Sequence, residues 1–280
     1  MSKNQNNLEG KVAIVTGASE GIGFGIASSL ASSGASVYLI ARTQEKLERA
    51  KREIEQKNGK AEFFSADITN APQIKEIIDK IYEKEKRLDI FVNNAGTWIG
   101  QGIDTDFQDI RRLIEFDMLA PYEITHYLIQ KFKDKKENDL RILTVSSQAA
   151  LKVFDSGLGY GPAKMGLTAA LFHLQKEKEI EKIDHIKLCR LYPNTVATEK
   201  MLPAIREGKV QNPVRINEVI QTAMDLLLEK TRTRDARIGY YPGMGIVRTD
   251  LPSVPEEFYS GRKTKEVVIN PNFTPEDLFK

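Results

Sequence analysis

KVAIVTGASEGIG, residues 11 to 23, passes from an apolar run into a turn with glycines at positions 17, 21 and 23. A short β-branched run, a glycine turn and then helical spacing read as a first strand feeding a first helix that ends near Ser33. Glycine lets backbone donors approach a pyrophosphate that a β-carbon would obstruct, and the helix start adds a favourable partial charge. The spacing differs from GxGxxG, and a tight turn alone would also explain it. Its place after the first strand favours a phosphate site built from Gly17, Ser19, Gly21, Ile22 and Gly23.

The same alternation runs along the chain. SVYLI, AEFFSAD, DIFVNNAG, LRILTVSS, HIKLCRLYP and RIGYYPG are each short and rich in strand formers, and all but the last are followed by a segment of helical period. Seven such strands with crossover helices predict a doubly wound α/β fold, a parallel sheet covered on both faces, with ligands bound beyond the carboxyl ends of the strands. One long helix is expected from Phe107, with Pro121 interrupting its hydrogen-bond ladder near Asp117. Residues 1–243 are expected to form a single domain and 244–280 a C-terminal extension containing Pro252, Pro255, Pro271 and Pro275.

Composition narrows the function. At 280 residues and 41% hydrophobic content the chain can bury a large core. Lys and Arg total 41 against 39 acids, without a dense basic run, so nucleic acid is not an expected partner. MSKNQNNLEG lacks the apolar centre of a signal peptide and no stretch is apolar enough to span a membrane, which predicts a cytoplasmic protein. Cys189, the only cysteine, sits in an apolar run and reads as a buried strand residue rather than a nucleophile. His126, His173 and His185 are scattered, so no metal site is expected.

A second motif, YGPAK at 160–164, opens a helical run. Residues four apart share a helix face, which projects Tyr160 and Lys164 toward one small molecule. A phenol with an ordinary pKa of about 10 is a poor base at neutral pH. A cation about 4 Å away, at an effective dielectric of about 20, contributes roughly 4 kcal/mol toward its ionised form. At the end of the second strand, LIART places Arg42 where many dinucleotide sites carry an acid, and a guanidinium suits a 2′-phosphate that a carboxylate would repel. Arg42 could instead simply begin a solvated helix, and Glu20 in the glycine turn is an opposing charge.

TGASEGIG, NNAG at 93–96, Ser146-Ser147 and YGPAK together resemble the short-chain dehydrogenase/reductase family, whose TGxxxGxG, NNAG and YxxxK patterns occur in this order. The match covers about residues 9–243 and implies a Rossmann-like domain. The resemblance implies that Tyr160 is the acid or base at the substrate oxygen, that Lys164 tunes it and binds nicotinamide ribose, and that Ser147, thirteen residues before Tyr160, hydrogen-bonds the substrate oxygen. It further implies cofactor contacts from Asp67, Ile68, Asn94, Ala95, Gly96, Pro193, Val196 and Thr198, with Asn93 bracing the strand ends. A helix cap is the competing explanation for Asp67 and Thr198, and a turn for the asparagines.

Two residues depart from the family pattern. Asp117 stands where the family carries an asparagine associated with a water in the proton relay, and its charge is expected to raise the pKa of Lys164 and weaken tyrosine activation. Asn194 replaces the glycine after Pro193, and asparagine tolerates the positive φ such a turn would use. The reading is therefore an oxidoreductase interconverting an alcohol and a carbonyl by hydride transfer, with NADP (NADPH) preferred over NAD and no metal. The alternative is a catalytically impaired nucleotide-binding regulatory or scaffold protein. The resemblance implies a homodimer or homotetramer. Trp98, Phe154, Leu158 and Met201 are candidate apolar walls for a lipophilic substrate, with core packing as their other explanation, and 199–215 is a candidate lid.

Overall fold

The computed structural model describes residues 8–210, 212–231, 233–252 and 264–279; Pro255 and the opening MSKNQNN stretch lie outside them. Strand β1 (Val12–Thr16) is buried along its whole length, as a central parallel strand with helices on both faces must be. It pairs in parallel with β2 (Ser36–Ala41) on one side and β4 (Ile90–Asn93) on the other, so the strand order reverses at its edges. Outward from β2 lies β3 (Lys60–Ser65), and outward from β4 lie β5 (Leu140–Val145) and β6 (Ile186–Pro193). The short strands β7 (Val196–Ala197) and β8 (Val214–Arg215) pair only with each other, and β9 (Asp235–Tyr241) returns beside β6.

The seven parallel strands expected from the sequence are thus present, in the order β3-β2-β1-β4-β5-β6-β9. The count differs, because β10 (Gly245–Leu251) and β11 (Lys265–Asn270) extend the sheet antiparallel to nine strands. The turn into β10 uses positive φ at Gly243 and Gly245. A β-carbon on Gly245 would stand 2.0 Å from the Asn270 carbonyl, so glycine there permits β11 to close against the hairpin. Much of the stretch beyond residue 243 is therefore part of the sheet.

Helices α1 (Gly21–Ser32), α2 (Gln44–Glu55), α3 (Ala71–Glu85), α4 (Phe107–Ile114), α5 (Ala120–Phe132), α6 (Tyr160–Ile180), α7 (Leu202–Arg206) and α8 (Ile216–Leu227) complete the chain. Side chains of α1, α2 and α8 form the core on one sheet face, and those of α3, α5 and α6 the core on the other. α3 shows how local sequence sets an element. Asn70 caps it by accepting the Gln73 N–H, Ile74, Ile77, Ile78 and Ile81 face the sheet, and Lys86 ends it in a left-handed conformation.

The long helix expected from Phe107 is interrupted where Pro121 demands it. Residues Glu115–Leu119 form a π-helical turn in which the Ala120 N–H reaches the Glu115 carbonyl, one residue beyond the α-helical partner. The widened turn carries Asp117 into the interior, where its side chain is fully buried.

Candidate active site

Thr16, the last residue of β1, organises the loops at the reversal of strand order. Its hydroxyl donates to the Val92 carbonyl (3.2 Å) and accepts the N–H groups of Asn94 (3.0 Å) and Ala95 (3.1 Å), which uses all its capacity. The Asn94 side-chain amide donates to the carbonyls of Thr16 (3.0 Å) and Gly17 (3.2 Å), and the Asn93 amide donates to Thr125 Oγ1 (2.9 Å) on α5. The structure thus commits the Asn94 side chain to the glycine loop and Asn93 to bracing β4 against α5.

The three glycines divide the work of the loop. A β-carbon on Gly17 would stand 2.8 Å from Ala95 Cα, and one on Gly23 would stand 2.3 Å from Asn94 Nδ2, so both serve internal packing. Gly21 shares its positive φ (+61°) with Gly17 (+62°) but not its crowding: the nearest atom to an added β-carbon is Thr198 Cγ2 at 3.7 Å. Ser19 and Ile22 flank it, half-buried, and no side chain caps α1. An uncapped helix start without crowding at Gly21, in a loop already closed on its other side, fits a dinucleotide phosphate.

Thr198 follows β7 and turns the chain toward α7, its carbonyl accepting the N–H groups of Met201 (2.8 Å) and Leu202 (3.1 Å). Val196, whose carbonyl accepts the Thr198 N–H (2.8 Å), is buried. Pro193 ends β6, and the Asn194 N–H bonds the Ile238 carbonyl at 2.9 Å. Asn194 has no positive φ, which corrects the expectation of a glycine-like turn: backbone pairing with β9 holds this position.

At the other end of the cleft, Arg42 lies 3.9 Å from Asp67 and 5.6 Å from the centre of the Phe116 ring. Asp67 also accepts the Thr69 N–H (2.9 Å) and hydroxyl (2.8 Å), while the cap of α3 is Asn70, so Asp67 shapes a turn rather than capping that helix. Ile68 is buried beside it. Glu20 is paired with Lys46 at 2.6 Å, which offsets the opposing charge in the glycine turn. A cavity of about 600 Å³ opens between the loop after β4 and α4, with Arg42, Thr97, Gln101, Arg112 and Phe116 in its walls. Ser147 and Tyr160 do not line it, so it marks the Arg42 side of the cleft and not the reacting end.

The YGPAK motif begins α6, and the Lys164 ammonium sits 5.4 Å from the centre of the Tyr160 ring. It pairs with Asp117 at 2.8 Å, both side chains being buried. Burial pushes the Lys164 pKa down, but the charge of Asp117, the neighbouring Tyr160 and the Asp117 hydrogen bond outweigh it and raise it overall. The Thr97 N–H donates to both Asp117 oxygens (3.2 and 3.3 Å). Gly96 makes this packing feasible, since a β-carbon there would lie 2.9 Å from Asp117 Oδ1 and 3.3 Å from Lys164 Nζ. Ser147, just past β5, accepts the Ala149 N–H at 3.1 Å.

Three contributors carried no clear mark in the sequence: Phe116, placed by the π-helical turn; Gln101, buried in the cavity wall; and Lys46, legible only as a cation on the first turn of α2. Cys189 is buried on β6, and burial pushes its thiol up to about 12. Among the described residues no group of three or more His, Cys, Asp or Glu side chains is arranged to hold a metal, and no helix is long and apolar enough to cross a membrane.

The reversal of strand order, the glycine loop and the half-buried Tyr160 beside the buried Lys164–Asp117 pair define a dinucleotide-binding α/β protein. A sequence model described as short chain dehydrogenase matches residues 11–208, and the chain belongs to the short-chain dehydrogenase/reductase family of oxidoreductases. It is 30% identical over 247 residues to a fatty acyl-CoA reductase of Acinetobacter baylyi, covering 85% of this chain and 79% of that protein. Among solved structures, it resembles a 7α-hydroxysteroid dehydrogenase complexed with NADH and 7-oxo glycochenodeoxycholic acid (TM-score 0.71, 25% identity, 81% of this chain and 91% of that one). It also resembles a metagenomic short-chain oxidoreductase in complex with NADP (TM-score 0.69, 26% identity, 82% and 98%).

Proposed function

We propose that this protein is an NADP-dependent oxidoreductase that interconverts an alcohol and a carbonyl, with Tyr160 as the general acid or base. The observation that carries this reading is the buried Lys164 ammonium, 5.4 Å from the Tyr160 ring centre on the same helix. A cation so placed stabilises the negative charge that develops on the phenol oxygen as the proton moves. The Ser147 hydroxyl oxygen already accepts a backbone N–H, leaving its proton to hydrogen-bond a substrate oxygen. When bound, the nicotinamide dinucleotide supplies or takes up the hydride. Tyr160 gives its proton to the substrate oxygen, or removes one in the reverse direction, and Lys164 holds the charge that develops on Tyr160.

The preference for NADP rests on Arg42. Its guanidinium is 68% exposed and lies 3.9 Å from its acidic neighbour, a loose pairing that leaves its donors free for a 2′-phosphate. The relatives named above, a fatty acyl-CoA reductase and a hydroxysteroid dehydrogenase, carry the names of different substrates, so the reading stops at the reaction class. We place the protein in the cytoplasm as a homodimer or homotetramer, an assembly that sedimentation of the purified chain would measure.

The decisive experiment replaces Tyr160 with Phe and follows NADPH oxidation with a panel of carbonyl compounds. Turnover should fall by about 10²- to 10⁴-fold, the range general acid–base catalysis supplies, with NADPH affinity retained. Undiminished turnover would defeat the assignment. NADPH binding by the parent protein with no turnover across the panel would instead favour a regulatory or scaffold role, the reading that the charge-neutralised Asp117–Lys164 pair supports.

A further inference from the structure

Among the described residues ten large apolar side chains are exposed, and six of them fall in two stretches: Trp98, Ile99, Ile103 and Phe107 after β4, and Val153 and Leu158 after β5. Ile103 and Val153 are 88% and 89% exposed, an unfavourable place for a branched aliphatic chain unless something covers it. The two stretches are joined. The Gln101 N–H donates to the Ser156 carbonyl at 2.8 Å, and Gln101 and Gly157 form an isolated parallel bridge. A β-carbon on Gly100 would stand 3.5 Å from the Trp98 ring and 3.8 Å from Ser156 Cβ, so the indole lies over that junction.

This surface is continuous with the reacting end of the cleft. Phe154, in the second stretch, packs edge-on to Tyr160 with ring centroids 6.4 Å apart, and Leu158 precedes Tyr160 by two positions. Its charge selects among apolar occupants. Residues 98–109 contain Asp104, Asp106 and Asp109, of which Asp109 is paired with Arg112 at 2.9 Å, while 152–158 contain Lys152 and Asp155, so Asp104 and Asp106 set the sign of the rim. An acidic rim repels an anionic bilayer or a tail that ends in a carboxylate, and leaves an uncharged chain as the occupant.

We propose that the substrate is a carbonyl or alcohol borne on an uncharged linear alkyl tail, and that the tail lies along Trp98, Ile103, Val153 and Leu158. This rests on the carbonyl–alcohol reaction argued above and names its substrate class.

The test follows kcat/KM with NADPH for n-alkanals from four to twelve carbons, in the parent protein and in the double variant Ile103→Ser, Val153→Ser. In the parent, kcat/KM should rise about two- to fourfold per methylene while the tail is being covered, and the variant should flatten that slope with butanal turnover within about twofold of the parent. A binding measurement needs no cofactor, because Trp98 is the only tryptophan. Its emission should shift to the blue, saturably, with 1-decanol and not with 1-butanol.

Equal kcat/KM at every length with no Trp98 shift would overturn the tail surface and leave the reaction standing. A saturable Trp98 shift with no alkanal turned over would support the tail surface and defeat the reaction. An unaltered slope in the double variant, accompanied by a change in oligomeric mass, would overturn the proposal in favour of an interface between copies. A chain-length effect that requires added phosphatidylcholine vesicles would overturn it in favour of a lipid surface.

Discussion

The Asp117 carboxylate stands 2.8 Å from the Lys164 ammonium in the buried floor of the cleft, with the Thr97 N–H directed at both of its oxygens. The pair couples two tasks, stability and protonation. Burial disfavours the charged lysine, and Asp117 together with Tyr160 reverses that, so the folded-state pKa lies above the ordinary value. The stabilising contribution is therefore complete below the unfolded value of about 10.4 and lost as pH rises through the folded one. Asp117→Asn retains the shape and removes the charge, leaving burial to lower the Lys164 pKa. The alkaline limb of the pH–rate profile should move to lower pH. Asp117→Ala leaves a buried ammonium without its partner and should cost about 3–5 kcal/mol in urea unfolding. An alkaline limb that stays in place in Asp117→Asn would separate Lys164 from that limb.

Gly21 and Gly23 share a motif and should respond differently to alanine. At Gly23 the added carbon would meet Asn94 Nδ2 at 2.3 Å and the Gly17 carbonyl at 2.4 Å, forcing apart the hydrogen bonds that hold the loop. Gly23→Ala should lose about 1–3 kcal/mol of stability. At Gly21 there is room, and the cost is that of a left-handed alanine, about 1–2 kcal/mol. The added methyl then occupies the space proposed for phosphate, so Gly21→Ala should weaken NADPH binding at least as strongly as Gly23→Ala. Thermal melts paired with NADPH titrations distinguish the two; tighter NADPH binding by Gly21→Ala than by Gly23→Ala would place the phosphate elsewhere.

What the sequence made legible follows from how local each signal is. The seven parallel strands and the turn after β1 depend on short-range patterning, and Tyr160 and Lys164 share a helix face by geometry alone. Pro121 marked the interruption of the long helix, because a missing N–H acts within one turn; that the result is a π-helical turn burying Asp117 depends on the packing around it. Interactions between distant segments left no such mark. Nothing near Phe116 indicates Arg42 as its neighbour, and nothing in Asn94 shows that its amide serves the glycine loop and not a ligand. The antiparallel strands beyond β9 were obscured because their alternation is weak and a proline follows each directly, Pro252 after β10 and Pro271 after β11. Asn194 misled in the opposite direction, since a residue tolerant of positive φ does not need to adopt it.

Arg42 carries the proposed choice between the two nicotinamide dinucleotides. Its guanidinium lies 5.6 Å from the centre of the Phe116 ring and 3.9 Å from Asp67, contacts that orient it without neutralising it. Hydrogen bonds to charged groups contribute about 1.5–3 kcal/mol, so Arg42→Ala should lower kcat/KM for NADPH by about 10- to 100-fold and leave that for NADH within about twofold. An undiminished preference for NADPH would remove Arg42 from this role. Phe116→Leu should reduce the same preference by a smaller factor, because it loosens the guanidinium without deleting it.

The carboxylate of Asp89 ties the start of β4 to the start of β1. It accepts the Val12 N–H at 2.9 Å and the Lys11 ammonium at 3.0 Å, and it takes two bonds from Arg87 at 2.6 and 2.7 Å. Burial pushes its pKa up, but the bonds from Arg87, Val12 and Lys11 outweigh that and hold it below the usual carboxylate range. A depressed folded pKa contributes stability above the unfolded value of about 3.9, and that contribution is lost as pH falls through the folded one. Asp89→Asn removes the charge and keeps the size. Lys11 and Arg87 are each 40% exposed, so water takes over their solvation and the cost at pH 7 should be about 1.5–3 kcal/mol, not the larger penalty of an orphaned buried ion. Urea midpoints measured from pH 7 to pH 2.5 should show parent and variant converging below about pH 4. A gap that stays constant to the lowest pH would mean that the charge of Asp89 is not its source.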